Sequence, residues 1–242
     1  MRHQHSKFLL FQTILLILSL LILLNFFSVA GRLDLQLIQP FVDAHAEFPL
    51  RQDWALAELN HRYVKYILIA VYLSYLLAWL LSFRLHKLRT RRWEFGYFFW
   101  MVVITTSVIA VLKSQSAHAC PWDMGIATAR GVWWDLSATA GHCFPGGHAS
   151  SGFALLVGYF IYRVTQPKRA YFFLIAACIL GMGMGWAQMM RGAHFLSHNL
   201  WTAWVVWLVN VIIYGIFYKR IALQAQPVIH LSGGAEAHTP LP

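Results

Sequence analysis

The sequence predicts an all-α fold: an integral membrane bundle of six transmembrane helices with both termini on the cytoplasmic side. Three observations lead there. The 242-residue chain is 59% hydrophobic and only 12% charged, with 11 Trp, 10 Tyr and 17 Phe, about half the charge of an ordinary soluble domain. Its apolar residues gather into stretches close to the roughly 20 residues a helix needs to cross a bilayer. Its basic residues fall in short runs between those stretches, the signature of cytoplasmic loops.

The first stretch, 8–30, follows Met1-Arg2-His3-Gln4-His5-Ser6-Lys7 and ends in Ser28-Val29-Ala30-Gly31. That ending mimics a signal-peptidase site, but the apolar run is long for a cleaved signal, so an uncleaved signal-anchor is expected. Loop 31–62 then lies on the outer side and holds Asp34, Asp43, Glu47, Asp53 and Glu58 beside Arg32, Arg51 and Arg62. Its Leu33, Leu35, Leu37 and Ile38 are interleaved with polar residues, as in an amphipathic cover or an ordered connector. Spans at 63–83 and 95–112 flank the densest basic cluster, Arg84, Lys87, Arg89, Arg91 and Arg92. Spans at 149–165, 171–190 and 199–218 complete the six; Gly and polar residues dilute the first two of these. Arg163, Lys168, Arg169, Lys219 and Arg220 fall on the same side as the cluster. Gly181-Met182-Gly183-Met184-Gly185 lies inside a span with no strand before it, which suits close helix packing rather than a nucleotide loop. The chain thus divides into a first helix and outer loop, 1–62, a helical core, 63–218, and a tail, 219–242, whose Gly- and Pro-containing end reads as disordered.

The net charge of +10 raises the question of nucleic acid. A nucleic-acid surface needs a soluble face to display its basic stripe, and here the basic residues sit in loops between spans. No nucleic-acid partner is expected; the bilayer itself is.

Three outer segments bear the chemistry. Lys113 ends the third span; alone it is a lysine that can snorkel to the headgroups. Phe144-Pro145-Gly146-Gly147-His148 leads directly into the fourth span. A bare Gly146-Gly147 backbone at a helix start offers N–H groups and a positive helix end to an anion, and His148 stands where it could protonate a leaving oxygen. The third segment places Arg191, His194 and His198 close together, with Gln188 just before them. If it is helical, His194 and His198 share a face at i,i+4 and Arg191 lies one turn before His194. One imidazole could then attack phosphorus while the other fixes its tautomer, with arginine clamping the charge. His-x-x-x-His is also a zinc pair, but no carboxylate or cysteine completes a ligand set, so no metal and no cofactor are expected. Cys120 and Cys143 share the outer loop; in an oxidising compartment they can form a disulfide, and two free thiols are the alternative.

In this order and spacing the three segments resemble the type 2 phosphatidic acid phosphatase superfamily, whose motifs are Lys-x6-Arg-Pro, Pro-Ser-Gly-His and Ser-Arg-x5-His-x3-Asp. The likeness covers roughly 60–218. It places Lys113 at the phosphate-binding lysine and Pro121 at the proline, with Cys120 where the arginine would stand. Pro145, Gly147 and His148 match the second motif, and Gly146 replaces serine. His194 takes the nucleophile's position, Gln188 the arginine's and His198 the aspartate's. The stretches around Cys120, Cys143 and Arg191 look like a divergent bacterial branch. Arg191, or less directly Arg130, could supply the missing guanidinium; Asp123, or less directly Asp135, could restore a carboxylate.

The resemblance implies a metal-independent lipid phosphatase of the bacterial inner membrane, its site facing the periplasm. A phosphomonoester or pyrophosphate of a lipid would be hydrolysed through a phosphohistidine. Phosphatidate, phosphatidylglycerophosphate, an isoprenyl pyrophosphate and the phosphates of lipid A all fit. The same residues would serve a lipid phosphotransferase, and a degenerate member would only bind lipid phosphate.

Overall fold

The computed structural model describes residues 2–224 except Ala140. It is built almost entirely of helices: α1 (Arg2–Phe26), α2 (Arg32–Ile38), α3 (Lys65–Leu81), α4 (His86–Arg89), α5 (Arg92–Gln115), α6 (Gly147–Phe153), α7 (Val157–Tyr162), α8 (Pro167–Met190) and α9 (Leu196–Gln224). A π-helical stretch, Ala55–Val64, runs directly into α3.

Among the described residues five helices are long and apolar enough to cross a membrane, at Gln4–Phe26, Ala55–Leu81, Arg92–Gln115, Pro167–Met190 and Leu196–Ile221. The protein is a multi-pass membrane protein. The sixth expected span takes another form. The chain is helical from Gly147 to Tyr162, but a 3₁₀ turn at Ala154–Leu156 divides it into α6 and α7. Sixteen helical residues reach about 24 Å, short of the roughly 30 Å hydrocarbon layer. Ala149, Ala154, Val157, Phe160 and Tyr162 on this segment have no exposed surface. Enclosed by protein, it faces little lipid, and so its sequence need not be uniformly apolar.

The outer helices show the opposite pattern. Leu10, Phe11, Ile14, Ile17, Leu18 and Leu21 of α1 are all about half exposed, as lipid-facing side chains are. Where α6 meets α8 the backbones touch: a Cβ on Gly152 would lie 2.4 Å from the Gly181 nitrogen. Gly181 and Gly185 face packed neighbours while Gly183 faces open space, so the glycine run is a small-residue packing face.

Three further expectations change. The helix expected from residue 8 begins at Arg2 and ends at Phe26, so its basic residues lie within it. The tail expected from 219 begins later, because α9 continues through Gln224; residues 225–242 lie outside the described region. The outer loop also contains a two-stranded antiparallel hairpin, β1 (Gly125–Thr128) with β2 (Gly131–Trp134), in a chain expected to be all-α. Ile126, Val132, Trp133 and Trp134 favour strands, and Gly131 takes a positive φ of 110° after the turn. Trp133 and Trp134 lie on this hairpin, and Trp134 packs on Phe195 with ring centroids 6.3 Å apart.

The basic residues gather at the other end of the bundle. Glu94 pairs with Arg91 and lies 4.0 Å from Arg169, and Arg163 donates to the Tyr214 hydroxyl at 2.9 Å. His5 of α1 bonds the same hydroxyl at 3.0 Å, so the start of α1 lies beside the latter part of α9, at this basic end.

Candidate active site

The last turn of α5, the entry to α6 and the α8–α9 junction meet at one end of the bundle, opposite the basic cluster. Lys113 closes α5, and its stem lies against Gly147: a Cβ there would sit 3.4 Å from Lys113 Cδ. The Gly146 N–H donates to the His198 carbonyl at 3.1 Å, and the Thr202 hydroxyl donates to the Gly146 carbonyl at 3.1 Å. A Cβ on Gly146 would come within 2.4 Å of Asn199 Oδ1. Buried Asn199 therefore occupies the room a serine would need, which explains glycine at that position.

The α8–α9 junction is not helical. Gly192 adopts a positive φ of 76°, and the N–H groups of Ala193 and His194 return to the Gln188 carbonyl at 2.9 and 3.4 Å. The helical spacing expected across Arg191–His198 is thereby broken. Its consequence survives by another route, because α9 starts at Leu196 and brings His198 back to His194. Their Nδ1 atoms lie 3.4 Å apart, so one ring donates and the other accepts. His148 faces the pair, its ring centroid 6.3 Å from that of His194.

His194 is 3% exposed and His198 fully buried. Burial, then the neighbouring His198, Lys113 and His148, holds the His194 imidazole well below the usual histidine range, so it is neutral at pH 7. The backbone carbonyl of Cys143 lies beside both rings, where its dipole favours positive charge on either. Cys143 is itself fixed by a disulfide to Cys120, with Cα atoms 5.2 Å apart, and by its N–H to the His118 carbonyl at 2.9 Å. The disulfide thus holds both ends of the hairpin-bearing loop beside the histidines.

Arg191 stands at the rim. Its Nη1 donates to Gln188 Oε1 at 3.3 Å and its Nε to the Arg51 carbonyl at 2.9 Å. Gln188 is 2% exposed, and its Nε2 has no hydrogen-bond partner among the described residues. His198 Nε2 is likewise unpartnered and buried; His198 also lines a cavity of about 110 Å³ with His118, Ala30 and Phe195.

The other candidates point elsewhere. Arg130 is exposed at the hairpin turn. Asp123 is exposed and accepts from the Trp122 indole at 2.8 Å. Asp135 caps its own turn through Ser137 at 3.0 Å. Neither carboxylate reaches the histidines. Among the described residues no three His, Cys, Asp or Glu side chains form a metal-ligating group.

The carboxylate that does support the site is Asp34, on α2. It is 2% exposed and accepts from the Ser197 N–H at 2.9 Å, the Ser197 hydroxyl, and the Ala30 N–H at 3.1 Å. Asp34 is thus a tertiary cap on the first turn of α9, the turn that presents His198. Burial raises its pKa against the lowering effect of those bonds. Ile38 and Leu35 of the same helix pack with Phe48, Met189 and Phe195, so α2 covers this end of the bundle.

Lys113, three imidazoles and the start of α6 gathered at one end of a bundle of membrane-length helices define a class: a polytopic membrane protein with a polar site at one face. The PAP2 superfamily model matches residues 94–222, more than half of the chain and the whole span from Lys113 to His198. The chain belongs to the PAP2 superfamily, whose members are typically phosphatases. Comparison with curated proteins and with solved structures gives no match.

Proposed function

We propose that the protein is a membrane lipid phosphatase that hydrolyses a phosphomonoester or pyrophosphate of a lipid through a phosphohistidine on His194. The observation that supports this reading best is a buried, neutral His194 with His198 at 3.4 Å on one side and His148 on the other.

His194 Nε2 attacks phosphorus in line as the bond to the lipid oxygen breaks, and His148 gives that oxygen a proton. As charge develops on His194, its Nδ1–H strengthens the bond to His198 Nδ1. The Cys143 carbonyl adds a fixed dipole beside His198, the residue at the motif's aspartate position. Lys113, the Gly147 N–H at the start of α6 and the spare Gln188 N–H groups hold the phosphoryl oxygens, with Arg191 behind Gln188. Water then attacks phosphorus, its proton passes to His148, and the P–N bond breaks to release inorganic phosphate. The cations and backbone dipoles supply the charge stabilisation.

The site faces the periplasm of a bacterial inner membrane in this reading. Basic loops collect at the opposite end, and a disulfide beside the histidines suits an oxidising compartment.

The test is phosphate release by the purified protein across phosphatidate, phosphatidylglycerophosphate, an isoprenyl pyrophosphate and lipid A, with His194→Ala in parallel. Release by the parent and none by the variant is the expected outcome. A new phospholipid in place of phosphate would assign transfer instead, and binding without turnover would sink the phosphatase reading.

A further inference from the structure

The basic end of the bundle contains a pocket that the phosphatase chemistry does not use. Between the end of α3 and the start of α5 lies a cavity of about 370 Å³ walled by Ser82, Phe83, Arg84, His86, Arg89 and Arg92. No carboxylate lines it. Among the described residues, ion pairs engage Arg62, Arg91 and Arg169 but none of the pocket's three arginines. Arg92 is held in place: Nε donates to the Ser82 hydroxyl at 3.1 Å and Nη2 to the Ser82 carbonyl at 2.6 Å. Its guanidinium lies 4.1 Å from the Phe83 ring centroid. Those bonds leave the Nη1 hydrogens for a ligand. Three guanidiniums and an imidazole with no counter-charge form a donor set for a phosphate.

A second cavity adjoins it. This groove, about 290 Å³ and apolar, is lined by Trp79, Trp93, Gly96, Trp100, Ile104 and Phe217 among others. Trp93 follows Arg92 directly, and Trp79 meets Phe83 edge to face at 5.7 Å, so the cationic pocket and the groove share a wall. Gly96 lets the Trp79 indole lie against α5, since a Cβ there would come within 2.7 Å of its nitrogen. Trp93, Gly96, Trp100 and Ile104 form one stripe along α5. At 1.5 Å per residue it extends about 16 Å from the charged end, roughly one leaflet of the hydrocarbon layer.

We propose that pocket and groove together bind one anionic phospholipid, in the leaflet opposite the histidines. Its phosphate sits among Arg84, Arg89 and Arg92, and one acyl chain lies along the Trp93–Ile104 stripe. A zwitterionic lipid offers the same chain but adds a cation that this pocket cannot partner. Free phosphate satisfies the arginines and leaves the groove empty.

Native mass spectrometry of the full chain in neutral detergent tests this with three probes: phosphatidylglycerol, phosphatidylcholine of the same chains, and glycerol 3-phosphate. Phosphatidylglycerol should bind at least about ten-fold more tightly than either of the others. The exposed pair Arg84→Gln/Arg89→Gln should reduce it to the phosphatidylcholine level without changing phosphate release at the other end. Lys168→Gln/Lys219→Gln, which removes the same charge outside the pocket, should retain it. Ile104→Trp, filling the groove, should weaken phosphatidylglycerol with the arginines intact. Equal binding of phosphatidylcholine, or undiminished phosphatidylglycerol binding by the arginine pair, overturns the phosphate pocket. Glycerol 3-phosphate bound as tightly as the lipid overturns the groove.

Discussion

Asp34 is the residue whose removal tests the architecture of the site most sharply. Its carboxylate accepts from the Ser197 N–H, the Ser197 hydroxyl and the Ala30 N–H. Ser197 has no exposed surface, so Asp34→Ala strands two buried donors at about 1.5 kcal/mol each. Ala30 contributes a smaller amount because its N–H is only partly buried. It is nonetheless held at φ 54°, a left-handed conformation that alanine adopts at a cost of roughly 1 kcal/mol without support. The loss is therefore about 3–4 kcal/mol, or a Tm lower by roughly 6–16 °C at the sensitivity of a chain this size. Asp34→Asn keeps a carbonyl for the Ser197 N–H and should lose about half as much. Ser197→Ala should cost only about 1 kcal/mol, and the double-mutant cycle should show coupling. Because the clamp sets the first turn of α9, turnover should fall at temperatures where the variant is still folded, with KM changed less. Thermal unfolding in detergent and initial rates of phosphate release measure both. An Asp34→Ala protein within 0.5 kcal/mol of the parent, turning over normally, would refute the clamp.

Three other perturbations follow from the same geometry. Gly146→Ala drives a methyl group into Asn199 Oδ1 and should destabilise by about 1–3 kcal/mol; Asn199→Ala in the same chain should restore much of the Tm if the room is what matters. Cys120→Ser with Cys143→Ser opens a loop of sequence separation 23 and should cost about 3 kcal/mol, and it should depress turnover because the Cys143 carbonyl faces His194; a reductant titration followed by phosphate release checks it. The depressed pKa of His194 means that the unfolded chain binds a proton near pH 6.5 that the folded one refuses. Stability is therefore complete above pH 6.5 and falls as the pH drops below it, by up to about 1.4 kcal/mol per unit. Unfolding midpoints between pH 7.5 and 5.5 should show that slope, and His194→Asn should reduce it, the remainder coming from the other buried imidazoles.

The parts of the fold legible in the sequence are those decided by lipid. α1, α3, α5, α8 and α9 present apolar side chains to a solvent without hydrogen bonds, and hydropathy alone finds them. The Gly147–Tyr162 segment lies within the bundle instead, where length and polarity are set by neighbours such as Gly181. Its sequence consequently looks like a weak span. The hairpin at Gly125–Trp134 hides for a related reason: its aromatic residues suit a membrane interface as well as a strand.

At the candidate site, the sequence names side chains that the structure brings together, but it does not give the chain path. Lys113, His148, His194 and His198 stand together, yet the bend at Gly192 turns Arg191 toward Gln188 and Arg51 rather than along a helix with His194. Asp34 lies 163 residues from Ser197, and nothing local marks it except an acid among leucines. The Cys143 carbonyl is backbone, outside any reasoning from residue type.

These unseen contacts also make sense of the departures from the superfamily's motif. An aspartate at position 198 would be a fully buried carboxylate. An uncompensated buried charge costs several kcal/mol. A neutral imidazole at 198 avoids that cost. What remains is a neutral imidazole pair steadied by a carbonyl dipole, on a helix whose start is pinned by a carboxylate one residue away. In the proposed reading, the negative charge sits on the scaffold that positions His194's partner, at Asp34, rather than on that partner.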